Sequence, residues 1–113
     1  MLYDFVVHKQ KWPAYSSWYI FQKEGKGMIR VMLERSDPNC VTITDFFVEE
    51  SARNQGIGTH LIQYVIDWIS SAGELDIIAY GVTKWSKPIL EKAGFENVYK
   101  RMYRWYVRKN KKN

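Results

Sequence analysis

Arg53-Asn54-Gln55-Gly56-Ile57-Gly58 is the stretch on which the reading of this 113-residue chain turns. A strand-like segment, Val41 to Val48, precedes it, and an amphipathic stretch follows at once. Strand, glycine-bearing turn and helix, in that order, aim a row of backbone N–H groups and a helix N-terminus at one point. That arrangement is a receptor for phosphate oxygens. Gly56 and Gly58 permit unusual dihedrals and the close approach of a bulky anion. The spacing is not Gly-x-Gly-x-x-Gly, and no Gly-Lys-Ser/Thr follows. The dinucleotide and nucleoside-triphosphate readings therefore lose their main support.

Upstream of the loop, Val41-Thr42-Ile43-Thr44 alternates apolar and polar residues in the manner of a half-buried strand. The alternation then breaks, with Asp45 where an apolar residue is due and Phe46 where a polar one is due. One extra residue restores the phase, which predicts a β-bulge near Asp45 and, with it, backbone groups left unpaired for a ligand. Downstream, Ile57, Leu61, Val65, Trp68 and Ala72 recur every three or four residues, and Gly73 ends the helix. Leu75 to Val82 reads as a central strand buried on both faces. A short helix follows through Ile89–Ala93, with Ser86 as N-cap, Pro88 in its first turn and Gly94 as its stop. Val98 to Arg108 interleaves aromatic and basic residues, which predicts an edge strand with one charged face.

The first part of the chain reads as strands at 2–8, 18–22 and 28–33, with a glycine-rich hairpin turn at Glu24-Gly25-Lys26-Gly27 and another turn at Asp37-Pro38-Asn39. The connector at 9–17 is short. Antiparallel strands followed by helix, strand, helix and strand make a mixed α+β fold. At this length, residues 1–113 form one domain. Nothing approaches the roughly 18 consecutive apolar residues that span a bilayer, and Met1-Leu2-Tyr3-Asp4 lacks the marks of a signal peptide. One cysteine, Cys40, and two histidines, His8 and His60, provide neither an internal disulfide nor a zinc set. These features predict a cytoplasmic, metal-free protein with no membrane partner. The net charge of +5 is uneven: residues 1–99 hold ten Lys/Arg against twelve Asp/Glu, and residues 100–113 hold seven basic residues and no acid. The tail at about 108–113 is either a solvated terminus or a contact for nucleic acid, an acidic protein or a phosphate.

The loop, and the later stretch Ile89-Leu90-Glu91-Lys92-Ala93-Gly94-Phe95, together resemble the GNAT superfamily of acetyl-coenzyme A-dependent N-acetyltransferases. Arg53 to Gly58 fits that family's Arg/Gln-x-x-Gly-x-Gly/Ala pyrophosphate loop, five residues after the end of a bulged strand. The second stretch looks like its helix ending in Gly-Phe. The two matches span about residues 41–97. The resemblance implies a mostly antiparallel sheet with a bulged, splayed strand pair and flanking helices, shortened at both ends relative to the family. It also implies acetyl-coenzyme A as cosubstrate, and direct transfer of its acetyl group in a ternary complex to a small amine or a protein amine. The implied cofactor-binding residues are Arg53, Asn54, Gln55, Gly56, Ile57, Gly58 and Thr59 at the pyrophosphate, and the main chain of Phe46 and Val48 along the thioester and pantetheine arm.

Three positions depart from the family pattern, one of them Thr83, where the family has an Asn seven residues before its tyrosine. The tyrosine that many members use to protonate the departing thiolate is Leu90 here, and a common glutamate base is Thr42. Tyr80, Tyr99, Tyr103 and Ser86 are the candidate replacements for the acid, and Asp45, Glu49 and Glu50 for the base. The catalytic set predicted from them is Asp45, Tyr80 and Ser86. The short ends predict an open acceptor groove, or one completed by a second subunit as a homodimer, with Trp12, Tyr15, Trp18 and Tyr19 lining the groove or the contact. Two other functions fit the sequence. One is a non-catalytic coenzyme A-binding or protein-interaction module. The other is a nucleic-acid binder that uses residues 100–113, with Tyr103 and Trp105 as stacking platforms.

Overall fold

The computed structural model describes residues 6–11, 16–23, 26–34, 40–73 and 75–110, with side chains over 26–32, 40–71, 73 and 75–110. Four strands come first: β1 (Val6–Lys11), β2 (Ser16–Lys23), β3 (Gly27–Glu34) and β4 (Cys40–Val48). Each pairs antiparallel with the next. Helix α1 (Ile57–Ala72) crosses over to β5 (Asp76–Ala79), which pairs parallel with β4. Helix α2 (Ser86–Lys92), the hairpin β6 (Glu96–Tyr99) and β7 (Met102–Trp105), and one helical turn, α3 (Val107–Asn110), complete the described chain. Among the described residues the sheet has seven strands in the order β1-β2-β3-β4-β5-β7-β6.

Helix α1 buries Ile57, Leu61, Ile62, Val65, Ile66 and Ile69 in one cluster with Ile29, Val31, Val41, Ile43, Ile77 and Ala79. Each such burial is worth about 1.5–3 kcal/mol, far more than the few tenths that separate helix propensities, so packing fixes this helix. Helix α2 ends in paired hydrogen bonds, Gly94 N–H to the Glu91 carbonyl and Phe95 N–H to the Leu90 carbonyl, both 3.0 Å. This is a Schellman stop, and it carries the Phe95 ring into the core beside Leu90.

The expected bulge is present, one residue earlier than Asp45. Arg30 opposes Asp45 while Val31 opposes Ile43, so Thr44 is the extra residue. It resets the alternation, with Val41 and Ile43 buried before it, Val48 buried after it, and Asp45 and Phe47 turned outward.

The segment Val98 to Arg108 differs from its expected form as one edge strand. A turn at Lys100, whose φ is +49°, folds it back on Glu96–Tyr99. The Asn97 amide holds that turn, donating to the Lys100 carbonyl at 2.7 Å. β7 is therefore an interior strand between β5 and β6, and β6 is the exposed edge. Asp76 on β5 anchors β7: its carboxylate accepts from Arg104 Nε at 2.9 Å, from an Arg104 terminal nitrogen at 2.7 Å and from Val107 N–H at 2.9 Å. Those bonds raise the Arg104 pKa above its ordinary value. The strand expected over Leu75–Val82 is shorter, with Ile77 and Ala79 buried and Asp76 and Ile78 half-buried.

Ser86 is not the cap of α2. Thr83 takes that place: the Lys87 N–H reaches its carbonyl at 2.9 Å, and Thr83 and Ser86 exchange bonds between each hydroxyl and the other's N–H. Trp12, Tyr15, the Asp37-Pro38-Asn39 turn and residues 111–113 lie outside the described residues. So do the side chains of Trp18 and Tyr19.

Candidate active site

The site begins where β4 and β5 part. Their pairing runs from Cys40 opposite Asp76 to Ile43 opposite Ala79 and ends at the bulge. β4 continues to Val48 while the other chain turns away through Tyr80 and Gly81, the latter at φ +62°. The V between them holds a cavity of about 220 Å³, lined chiefly by Thr44, Asp45, Phe46, Tyr80, Thr83 and Ser86.

The ladder decides which backbone groups face this V. Glu49 N–H bonds the Lys26 carbonyl at 2.7 Å. Antiparallel partners alternate between bonded and non-bonded pairs, so the opposed pairs Met28–Phe47 and Arg30–Asp45 are bonded across β3 and β4, while Ile29–Phe46 and Gly27–Val48 are not. The N–H and C=O groups of Phe46 and Val48 therefore point away from β3, toward the side that β5 has left. The Val48 carbonyl is taken by Arg53 Nε at 3.0 Å.

A second cavity, about 350 Å³, lies against the loop and is lined by Val48, Arg53, Asn54, Gly56, Ile57, Gly58 and Thr59 together with Lys84, Trp85 and Ile89 of the α2 side. No side chain caps the first turn of α1, and no acid lies in it. The ladder of α1 begins at its cap, where the His60 N–H donates to the Gly56 carbonyl at 3.0 Å. The N–H groups of Ile57, Gly58 and Thr59 precede it and have no intrahelical acceptor, and the dipole adds positive character at this end.

The two glycines serve different ends. Gly56 has φ +79°, and a Cβ there would meet nothing within 4 Å, so backbone conformation alone selects it. At Gly58 a Cβ would lie 2.9 Å from Ile89 Cδ1 and 3.2 Å from Trp85. Close approach of α1 to α2 leaves room at that position for no more than a small side chain, and only if the Ile89 tip and the Trp85 ring edge give way.

Trp85 is the residue that sequence reasoning missed. Its ring meets Phe46 edge-on at 5.1 Å between centroids and lies 5.1 Å under the Arg53 guanidinium. The Phe46–Trp85 pair thus forms the partition between the V and the loop cavity. Its position just ahead of the short helix is the only sequence signal for it.

The predicted residues separate cleanly. Asp45, Phe46, Tyr80 and Ser86 share the V. Val48, Arg53, Asn54, Gly56, Ile57, Gly58 and Thr59 line the loop cavity. Gln55 does not line it and instead donates its side-chain amide to the Ser51 carbonyl at 3.4 Å. Asp45 is ion-paired to Arg30 at 2.9 Å, and Tyr80 is 54% exposed. The Ser86 hydroxyl is buried and committed to Thr83. Leu90 is 2% exposed and packs in the core, and it also lines the V. Tyr103 and Trp105, each 5% exposed, are packed inside, which removes them as stacking platforms for bases. Among the described residues no three His, Cys, Asp or Glu side chains group around a metal position, and no helix is long and apolar enough to cross a membrane.

Comparison with known families finds that the model of the acetyltransferase (GNAT) family matches residues 3–95. The chain belongs to the GNAT family. No curated protein sequence matches it. Solved structures share its fold at low identity. An acetyltransferase of the GNAT family from Staphylococcus aureus Mu50 is 18% identical with TM-score 0.63, over 81% of this chain and 68% of that one. A Bacillus subtilis acetyltransferase in complex with CoA is 15% identical with TM-score 0.58, over 89% and 96%. N-acetylglutamate synthase from Neisseria gonorrhoeae, complexed with coenzyme A and L-arginine, is 15% identical with TM-score 0.62, over 79% of this chain and 24% of that one.

Proposed function

We propose that this GNAT domain transfers an acetyl group from acetyl-coenzyme A to an amine nitrogen, with both substrates bound together. The observation that carries this reading is the direction of the Phe46 main chain, whose N–H points away from β3 toward the V, with the uncapped start of α1 on the other side of the Phe46–Trp85 partition. An N–H aimed at a thioester carbonyl stabilises the charge that develops on its oxygen, typically by about 3–4 kcal/mol. The N–H groups of Gly56 to Thr59 hold the diphosphate, aided by Lys84 and by the terminal nitrogens of Arg53, since Arg53 Nε is occupied by the Val48 carbonyl. Trp85 must turn aside, or the pantetheine arm must pass along its face, for one ligand to span both cavities.

In the transfer the amine lone pair forms the new C–N bond, the C–S bond breaks, and sulfur leaves as the thiolate. The surplus N–H proton goes to Asp45, directly or through water, with Tyr80 beside it at the exposed mouth. A free lysine amine, with pKa about 10.4, is neutral in only about one molecule in a few thousand at pH 7, so a proton acceptor matters. The thiol has pKa about 8.5 and leaves without obligatory protonation, so the absence of a tyrosine at Leu90 costs little. Ser86, engaged with Thr83, holds the start of α2 in place.

Acetyl-coenzyme A turnover, followed as free thiol with mixed peptides and polyamines as acceptors, tests the reading; saturable release dependent on the amine is the expected result. A non-catalytic coenzyme A-binding module is the second reading, favoured by Leu90 buried in the core where the family acid is common. Saturable coenzyme A binding with no thiol release under any acceptor would select it.

A further inference from the structure

Beside the V lies a third depression, about 470 Å³, lined by Val82, Thr83, Lys84, Lys87, Lys100, Arg101 and Tyr103. Four of its seven lining residues are cations and none is an acid. The ion pairs of the described residues, Arg30–Asp45, Arg104–Asp76 and Lys109–Glu96, use none of them. Lys84 lies just before α2 and Lys87 in its first turn, while Lys100 and Arg101 come from the β6–β7 turn. The Val82 N–H to Arg101 carbonyl bond, 3.0 Å, ties the two sides together, and Asn97 fixes the turn from behind. Like charges gathered around one concave surface repel one another, and this cluster carries no described counter-charge. Its electrostatics favour a ligand with several negative charges.

The geometry points to an acceptor that is an acidic peptide segment, its carboxylates held in this basic depression while its amine enters the V. This deepens the acetyl-transfer reading and rests on it. Val82 and Thr83 line both cavities, so the two sites share a wall. An extended chain advances about 3.3–3.6 Å per residue, so carboxylates within a few residues of the reacting amine reach the cations. The cations surround one depression and do not form a stripe along an element, which suits a short acidic segment better than the regular phosphate track of a nucleic acid. Lys84 borders the loop cavity too, so Lys87 and Arg101 are the pair that isolates the acceptor role.

The test compares two fluorescent peptides, each with one free amine and alike except that four Glu in one are Gln in the other, against a single-stranded oligonucleotide of the same length. Binding is read by anisotropy on the full chain and on Lys87→Gln/Arg101→Gln, with and without coenzyme A. The expected result is that the Glu peptide binds about tenfold or more tightly than the Gln peptide at low salt. That advantage disappears in the double variant and at 0.5 M salt, while coenzyme A affinity is unchanged. Equal binding of the two peptides, an advantage that survives the double variant, or preference for the oligonucleotide overturns the proposal. Because peptide binding is read without turnover, selective binding with no thiol release leaves the basic site standing and sinks the acetyl-transfer reading instead.

Discussion

Thr59→Glu separates anion binding from folding at the start of α1. Thr59 is exposed, lies in the first turn and lines the loop cavity, so a longer side chain there meets no packed neighbour. For folding, a carboxylate in the first turn complements the helix dipole and adds about 0.3–1 kcal/mol. For binding the sign reverses. Thr59 lines this cavity of about 350 Å³, so a diphosphate bound in it lies on the order of 5 Å from a carboxylate introduced at that position. At an effective dielectric of about 40–80, repulsion between one carboxylate and two phosphate charges comes to about 1.7–3.3 kcal/mol, or about 15- to 250-fold in Kd. The assay is calorimetric titration of coenzyme A into wild type, Thr59→Glu and the neutral control Thr59→Gln, with thermal melts of each. Weaker binding with an unchanged or higher Tm is expected for the Glu variant alone, and the loss shrinks at 1 M salt, where the Debye length falls to about 3 Å. Unchanged coenzyme A affinity in Thr59→Glu refutes the placement of the diphosphate.

Gly56→Ala should cost about 1–2 kcal/mol in chemical denaturation through its left-handed backbone alone, with Gly56→Asn recovering much of the loss. Gly58→Ala should move stability by less than about 1 kcal/mol, because the helix-propensity gain offsets the displacement of the flexible Ile89 tip, whereas Gly58→Leu should be clearly destabilising. Asp76→Ala removes the shared acceptor of Arg104 and Val107 and should cost about 2 kcal/mol in urea unfolding. Asp45→Asn should lower kcat by about 10²-fold or more with little change in coenzyme A affinity, while Tyr80→Phe stays within about tenfold of wild type; equal activity in Asp45→Asn would remove it as the proton acceptor.

Local signals in this chain proved legible where one residue type answers one physical demand. The phase break at Asp45 and Phe46 points to a bulge, because one extra residue restores the period of two; the position of that residue, Thr44, depends on pairing with β3 that local alternation does not encode. The three-and-four spacing from Ile57 to Ala72 marked α1 for the same reason. The C-terminal hairpin is not legible in the sequence because its turn is Tyr99-Lys100-Arg101-Met102, with no glycine, and its geometry rests on the Asn97 amide. Thr83 does not stand out in the sequence as the cap of α2 because Ser86 offers the same chemistry three residues later, and only the reciprocal bonds tell them apart. Trp85 and the basic depression are products of tertiary proximity: Lys87 and Lys100 are thirteen positions apart in sequence and meet only because β6 and β7 fold back beside α2.

The placement of the diphosphate and the thioester is tested most directly by a crystal structure of the chain with acetyl-coenzyme A. The account predicts phosphate oxygens within hydrogen-bond reach of the N–H groups of Gly56 to Thr59, and the acetyl carbonyl oxygen facing the Phe46 N–H in the V between β4 and β5. A cosubstrate bound elsewhere, with Trp85 still closing the cleft and the start of α1 facing only water, would contradict it.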